Sequence, residues 1–351
     1  YTVKVSQSVP LNQLDDENSA VTGVYMEIEE ENGLTETLVE TSPGVYQTES
    51  MVGKANKRYR LMMIYGGSEY ESTWETLLAS PALDSLTHKV VKKGTKEIDN
   101  DIYAVQYFTG FKGEASGARY YRYTFEESWM IRVTHESYYE YIWIGWNQLK
   151  PRDPQVYTCW KYENIHPIQL ATTSDLTENT LTEFPSILLT GEDERYTRKH
   201  SLLVNQYAID KVEYDYWSQQ KEANEELGTL YDKQPATVRG NISNVSNPDD
   251  KLLGYFSASG VSSTRTFVKE IVEVTPREDC GVEPITLLIS ELGILWEDYL
   301  LTYLNNGYML QMLIWSEGPF PAVLGAIITE PQCSDCRVKG GDLQKPDFWD
   351  E

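Results

Sequence analysis

The residues with the widest chemical reach in this chain are four cysteines, Cys159, Cys280, Cys333 and Cys336. The last two stand in the stretch CSDC, a spacing shared by zinc knuckles, redox pairs and disulfide staples. A structural zinc site needs four tetrahedral ligands and usually draws them from two such knuckles. Here Cys159 and Cys280 stand alone, and His88, His135, His166 and His200 form no HxxxH or HxH pair. A thioredoxin-like pair sits at a strand-to-helix turn; this one follows GAIITEPQ and precedes Gly340-Gly341 with no helical pattern behind it. The reading that remains is two disulfides in which the tail cysteines reach back to Cys280 and Cys159, the connectivity being open. Loops this long would add roughly 4–5 kcal/mol each in the chain-entropy description and imply an oxidising compartment. Gly340-Gly341 is expected to turn the tail, and Phe348-Trp349 to pack its end onto the body.

Other chemistry is absent from the pattern. No GxSxG elbow, P-loop or GxGxxG occurs. The acidic stretches 27–33, 97–101 and 191–195 carry oxygens of the kind calcium takes, but none completes an EF-hand, and a solvated face is the expectation. With 54 Asp and Glu residues, chance carboxylate pairs abound, and no stretch isolates one for glycoside hydrolysis. Asn241-Ile-Ser and Asn244-Val-Ser read as turn chemistry rather than glycan acceptors. The chain is expected to lack catalytic residues, metal and cofactor, and so not to be an enzyme.

The elements that would position any site are strands. Tyrosine dominates the aromatics, 25 against 9 Trp and 8 Phe, a usage that suits half-buried pleated surfaces. Residues 1–75 alternate in short runs with turns at Asn32-Gly33 and Pro43-Gly44, which predicts an immunoglobulin-like β-sandwich lacking its first strand. Residues 76–351 are expected to form a larger β-sandwich or barrel-like domain. Within it, YYEYIWIGWNQL is apolar on both faces and predicts a central strand. Its Tyr138, Tyr139, Tyr141, Trp143 and Trp146 are the candidate binding aromatics, with core packing as their first expectation. One long amphipathic helix is predicted over 209–228, capped by Asp210 with Glu213 three residues on, striped by Val212, Tyr216, Ala223 and Leu227, and ended by Gly228. The stretch 283–306 is ambiguous between helix and buried strand.

A formal net charge of −24 excludes the electrostatic footprint of a nucleic-acid binder, and no run approaches the ~20 apolar residues that span a bilayer. The opening YTVKVSQS is already in strand pattern and lacks Met, so the true start is expected upstream.

Three stretches together resemble a family of Bacteroidota lipoproteins filed as domain of unknown function 4249: LLVNQYAIDKVEYDYW, the run from ELGTLYDKQPATVRGNISNV to LLGYFSAS, and CSDCRVKGGDLQKPDFW. The Cys159-Trp160 pair, Gly240-Asn241 and Gly254-Tyr255-Phe256 belong to the likeness. It implies an exported protein on the extracellular face of the outer membrane, lipid-anchored at an N-terminal cysteine outside this chain and accompanying SusC-like TonB-dependent transporters. It carries over no catalytic residues. The expectation is a non-catalytic surface lipoprotein docking on an outer-membrane barrel protein as a transporter accessory. The alternatives are a structural subunit of an outer-membrane protein insertion or secretion complex, and an enzyme acting on glycans or peptides.

Overall fold

The computed structural model describes residues 1–7, 20–95, 101–113, 117–143, 147–191, 194–225, 238–247, 250, 252–271, 273–274 and 280–350. About half of them are in antiparallel strands, as expected of a β-rich chain. The N-terminal part is a two-sheet sandwich. One sheet has the order β1 (Thr2–Lys4), β5 (Val45–Gln47), β4 (Val39–Ser42). The other runs β17 (Ile242–Asn244), β7 (Ser68–Ser72), β6 (Arg58–Tyr65), β2 (Tyr25–Glu30), β3 (Thr35–Thr37), with β8 (Glu75–Thr76) also paired to β6. Period-two alternation sets the register: Met26 and Ile28 of β2 face inward opposite Met63 and Leu61 of β6. This core also takes in Phe256 and Ala258, so the sandwich is completed by a segment that returns some 165 or more residues later in the sequence and that a boundary at residue 75 does not include.

The middle of the chain packs two sheets face to face. A three-stranded sheet, β15 (Thr180–Thr190), β10 (Asp101–Lys112), β9 (Ser85–Thr95), faces a four-stranded one, β14 (Thr158–Thr172), β11 (Tyr120–Arg132), β16 (Lys199–Ile209), β18 (Gly260–Lys269). Their shared core holds Tyr107, Phe111, Tyr121, Tyr123, Phe125, Leu202 and Val204, all almost fully buried. Tyrosine can fill such a core because each hydroxyl finds a partner, as Tyr123 does by donating to Gln206 at 2.9 Å.

Two expectations need correcting. The stretch 138–149 is not one central strand: β12 (Tyr139–Trp143) turns back into β13 (Asn147–Pro151), with Trp143 paired to Asn147, as a separate two-stranded hairpin. The inner strands of the main sheet are β11 and β16 instead. Tyr141 and Leu149 pack on a neighbouring unit, while Tyr138 and Tyr139 face solvent, at 44% and 42% exposure.

The helix forms as α1 (Lys211–Glu225), and Asp210 Oδ1 caps it by accepting the Glu213 N–H at 2.8 Å. Val212 is exposed, however, and the buried face is Glu213 and Tyr216, because Glu213 turns inward rather than back toward the cap. Leu227 and Gly228 lie outside the described residues.

The stretch 283–306 is both strand and helix: β19 (Ile285–Leu288), α2 (Ile289–Leu292), a 3₁₀ turn at Gly293–Leu295 and α3 (Trp296–Asn305). With β20 (Met309–Trp315) and β21 (Val323–Thr329), in the order β19-β21-β20, they make a C-terminal unit around Leu287, Trp296, Leu300, Leu310, Ala326 and Ile328.

A short helix, α4 (Pro331–Ser334), then leads into the tail. The four cysteines form two disulfides, Cys159–Cys336 and Cys280–Cys333, with Cα atoms 5.7 and 5.6 Å apart. The zinc and redox readings of CSDC fall with them. Trp160 and Asp342 exchange both backbone hydrogen bonds, at 2.8 and 2.9 Å, and Gly341 lies so close to Cys159 that an added Cβ would stand 2.5 Å from the Cys159 Cβ. Trp349 ends the tail, buried edge-on against Trp160 and Phe267, with its carbonyl accepting from Lys199 Nζ at 2.8 Å.

Mass spectrometry of unreduced peptides is expected to find Cys159 linked to Cys336 and Cys280 linked to Cys333; a Cys333–Cys336 peptide would contradict this fold. The loops close over 177 and 53 residues. Losing them is expected to cost about 5 and about 4 kcal/mol in the chain-entropy description, read as a fall in melting temperature on reduction.

Candidate docking surface

The side chains that most resemble an active site are sealed inside the main body. His200 on β16, Glu127 on β11 and Tyr107 on β10 are fully buried, and Tyr196 joins them from the loop before β16. The Glu127 carboxylate can only accept, so it fixes the tautomer: His200 Nε2 donates to Glu127 Oε2 at 2.8 Å, and Nδ1 accepts from the Tyr107 hydroxyl at 3.0 Å. That leaves the Tyr107 oxygen to accept from Tyr196, at 3.3 Å, while Arg195 Nε donates to Glu127 Oε1 at 2.9 Å. Burial lowers the His200 pKa below its ordinary value and raises that of Tyr107 well above its own. A Glu–His–Tyr line of this kind could relay a proton if substrate reached it. Here it joins the two facing sheets, and its members are closed to solvent. Of the other histidines, His135 is tied to the tail through its backbone, donating to the Cys333 carbonyl at 2.9 Å.

The Gly-Asn and Gly-Tyr-Phe stretches are structural too. Gly240 lies where an added Cβ would stand 1.5 Å from the Gly254 carbonyl oxygen, so no side chain fits. Asn241 then holds Phe256 like a partner strand, accepting its N–H and donating to its carbonyl, each at 2.8 Å. Asn241 also donates to Glu75, and Asn244 Oδ1 accepts the N–H of Ser246 and Asn247, so both sequon asparagines are engaged. Beside them Glu213 accepts from Ser257 at 2.7 Å and from Trp217 Nε1 at 3.1 Å, joining α1 to the returning segment. Burial raises the carboxyl pKa of both Glu213 and Glu75. A cleft of about 730 Å³ opens next to this clamp, between β1 and the returning segment, with a mixed wall in which Val3, Val5, Leu61, Met63 and Leu252 lie beside Lys4, Tyr70 and Asp250.

Among the described residues no group of three His, Cys, Asp or Glu could hold a metal ion. Glu29 pairs with Arg60 and Glu194 with Lys339. Residues 97–100 and 192–193 lie outside the described residues.

The candidate aromatics do not converge. Tyr138 stacks edge-on against Tyr157 with its hydroxyl on Glu136, Tyr139 is exposed, and Tyr141 packs on the C-terminal unit. Trp143 has its backbone in β12, and Trp146 lies outside the described residues.

The exposed apolar surface gathers elsewhere. Ile294 is 96% and Phe320 91% exposed, and Leu295, Tyr299, Met312, Trp315 and Leu324 are each about half exposed, all within the C-terminal unit. Register explains why several of them meet. Leu288 pairs with Gly325 and Trp315 with Val323, so the chain leaves β19 toward the tip of the β20–β21 hairpin. The turn carrying Ile294 and Leu295 therefore sits at the same end as Trp315, Phe320 and Leu324. Phe320 is flanked by Pro319 and Pro321, which restrict the loop that presents it. A surface this apolar marks an interaction site. Sequence reasoning passed it over because none of these residues belongs to a chemical motif. The available signal was the combination of Ile294-Leu295 after Gly293 and of Phe320 between two prolines, apolar residues in turns where they have no core to enter.

Two pH responses follow. The His200 pKa is lowered on folding, so its contribution is present above about 6.5 and is lost as pH falls through the folded value. The denaturant midpoint is expected to drop from pH 7.5 to pH 5, and His200→Gln should flatten that change; an unaltered slope would refute the assignment. The Glu213 pKa is raised, so its contribution is present at acid pH and fades as pH rises. Glu213→Gln is expected to raise the melting temperature at pH 7 and not at pH 4, and a loss at pH 7 would overturn this.

Residues 1–265 match a family described as Domain of unknown function (DUF4249). No curated protein and no solved structure matches the chain. The match covers well over half of the chain, including the sandwich, the main sheets, the helix and the Gly-Asn clamp, and it stops before the C-terminal unit that carries the exposed apolar end. The chain belongs to the DUF4249 family.

Proposed function

We propose that this protein is a non-catalytic lipoprotein of the cell surface that docks on a barrel protein of the outer membrane, as an accessory of a SusC-like TonB-dependent transporter. The observation that carries the docking is the exposed apolar end of the C-terminal unit, above all Ile294 and Phe320. Burying those two side chains against a partner would contribute roughly 3–6 kcal/mol before the costs of association. The address rests on two supports: two disulfides suit an oxidising compartment, and the family resemblance implies export and an N-terminal lipid anchor outside this chain. Among the described residues the Glu127–His200–Tyr107 line most resembles an active site, and its burial supports the non-catalytic reading.

The test is affinity purification of the full-length protein from detergent-solubilised outer membranes, with everything retained identified by mass spectrometry. A single SusC-like barrel is the expected companion, and Ile294→Asp with Phe320→Asp should release it without changing the melting temperature. Retention by the double variant would overturn the assigned surface. A multi-subunit insertion or secretion complex would replace the accessory role by a structural one, and turnover in a screen of glycans and peptides would overturn the non-catalytic reading.

A further inference from the structure

The C-terminal unit has no cationic side chain of its own. From Glu278 to Cys336 there is no Lys, Arg or His, although the protein as a whole has 30 Lys and Arg. The same stretch carries Glu283, Glu291, Glu297, Asp298, Glu317 and Glu330. The acids alternate with the exposed apolar residues: Glu291 precedes Ile294 by three positions, Asp298 adjoins Tyr299, and Glu317 precedes Phe320 by three. Glu291, Asp298 and Glu317 are exposed. The unit thus presents exposed greasy side chains with exposed carboxylates within three positions of them in the chain, and no cation of its own to neutralise these.

We propose that this end docks into an apolar recess on a partner protein whose rim is lined by Lys or Arg. The inference rests on the docking reading above and adds the chemistry of the partner. Charge decides between the possible occupants. A phosphate-bearing lipid surface would be repelled, because burying Ile294 and Phe320 in acyl chains brings Glu291, Asp298 and Glu317 into the headgroup layer. A second copy of this chain would meet the same carboxylates across a like-charged interface. A basic rim instead turns each acid into a steering and selecting contact, while the apolar side chains supply the affinity.

The experiment uses the full-length protein in native outer membranes with a benzophenone photo-cross-linker in place of Phe320, and a control cross-linker in place of the exposed Leu176 on the main body. The expected product is a cross-link specific to position 320, to a peptide of another protein with Lys or Arg beside it. A cross-link to lipid or to a second copy of this chain would overturn the proposal, and so would none above the Leu176 control. Independently, the variant with Glu291→Lys, Asp298→Lys and Glu317→Lys is expected to weaken retention of the co-purified partner by about ten-fold or more at low salt, with melting unchanged. Unchanged retention would refute the basic rim and leave docking standing, whereas the absence of any partner even for the unaltered protein would refute docking itself.

Discussion

Two covalent bonds placed three residues apart tie the C-terminal unit and the tail to the rest of the chain. Cys333 closes the base of the C-terminal unit on Cys280, and Cys336 fixes the same short stretch to Cys159 on β14, an edge strand of the main sheet. A unit built on a three-stranded sheet and two short helices has a small core and would be marginal alone. Anchored in this way it becomes a firm extension of the body. Its apolar end is then held at the side away from the staple, and a rigid presenter loses less freedom on binding than a tethered one.

The main body shows how a polar core can be kept in a chain rich in tyrosine. The line from Tyr196 through Tyr107 and His200 to Glu127 and Arg195 crosses from one sheet to the other, and each member has a partner. Such a line constrains the mutual placement of the sheets more narrowly than aliphatic packing, since shifting one strand leaves a buried donor or acceptor unpaired. It also shows why an active-site-like trio is weak grounds for assigning catalysis. Access decides, and here the rings are closed in.

Much of the architecture was legible because it follows from local rules. Period-two alternation placed β2, β6 and β10, the Asp210 cap marked the start of α1, and the spacing of four cysteines announced two disulfides. What escaped depended on contacts between distant segments. The return of residues 242–258 into the N-terminal core cannot be seen in either segment alone. The face of α1 was misjudged because Glu213, acidic and assigned to the cap, is the residue that enters the interior. The strand through 138–149 looked central because each half of a hairpin contributed apolar residues to one continuous run. The candidate site was least legible of all. A docking end is defined by which apolar residues fail to find a core, and that is known only once the core is.

The pairing of Trp160 with Asp342 has a meaning beyond holding the tail. Among the described residues β14 has a strand neighbour in β11 on one side only, and a row of unpaired amides and carbonyls on a long outer strand is a template for joining another chain. The terminal segment covers part of that row with its own backbone and shields the adjacent indole with Trp349. The segment from Asp342 to Trp349 therefore also guards against edge-to-edge aggregation, so that a variant lacking it could keep both disulfides and yet become adhesive to its own copies.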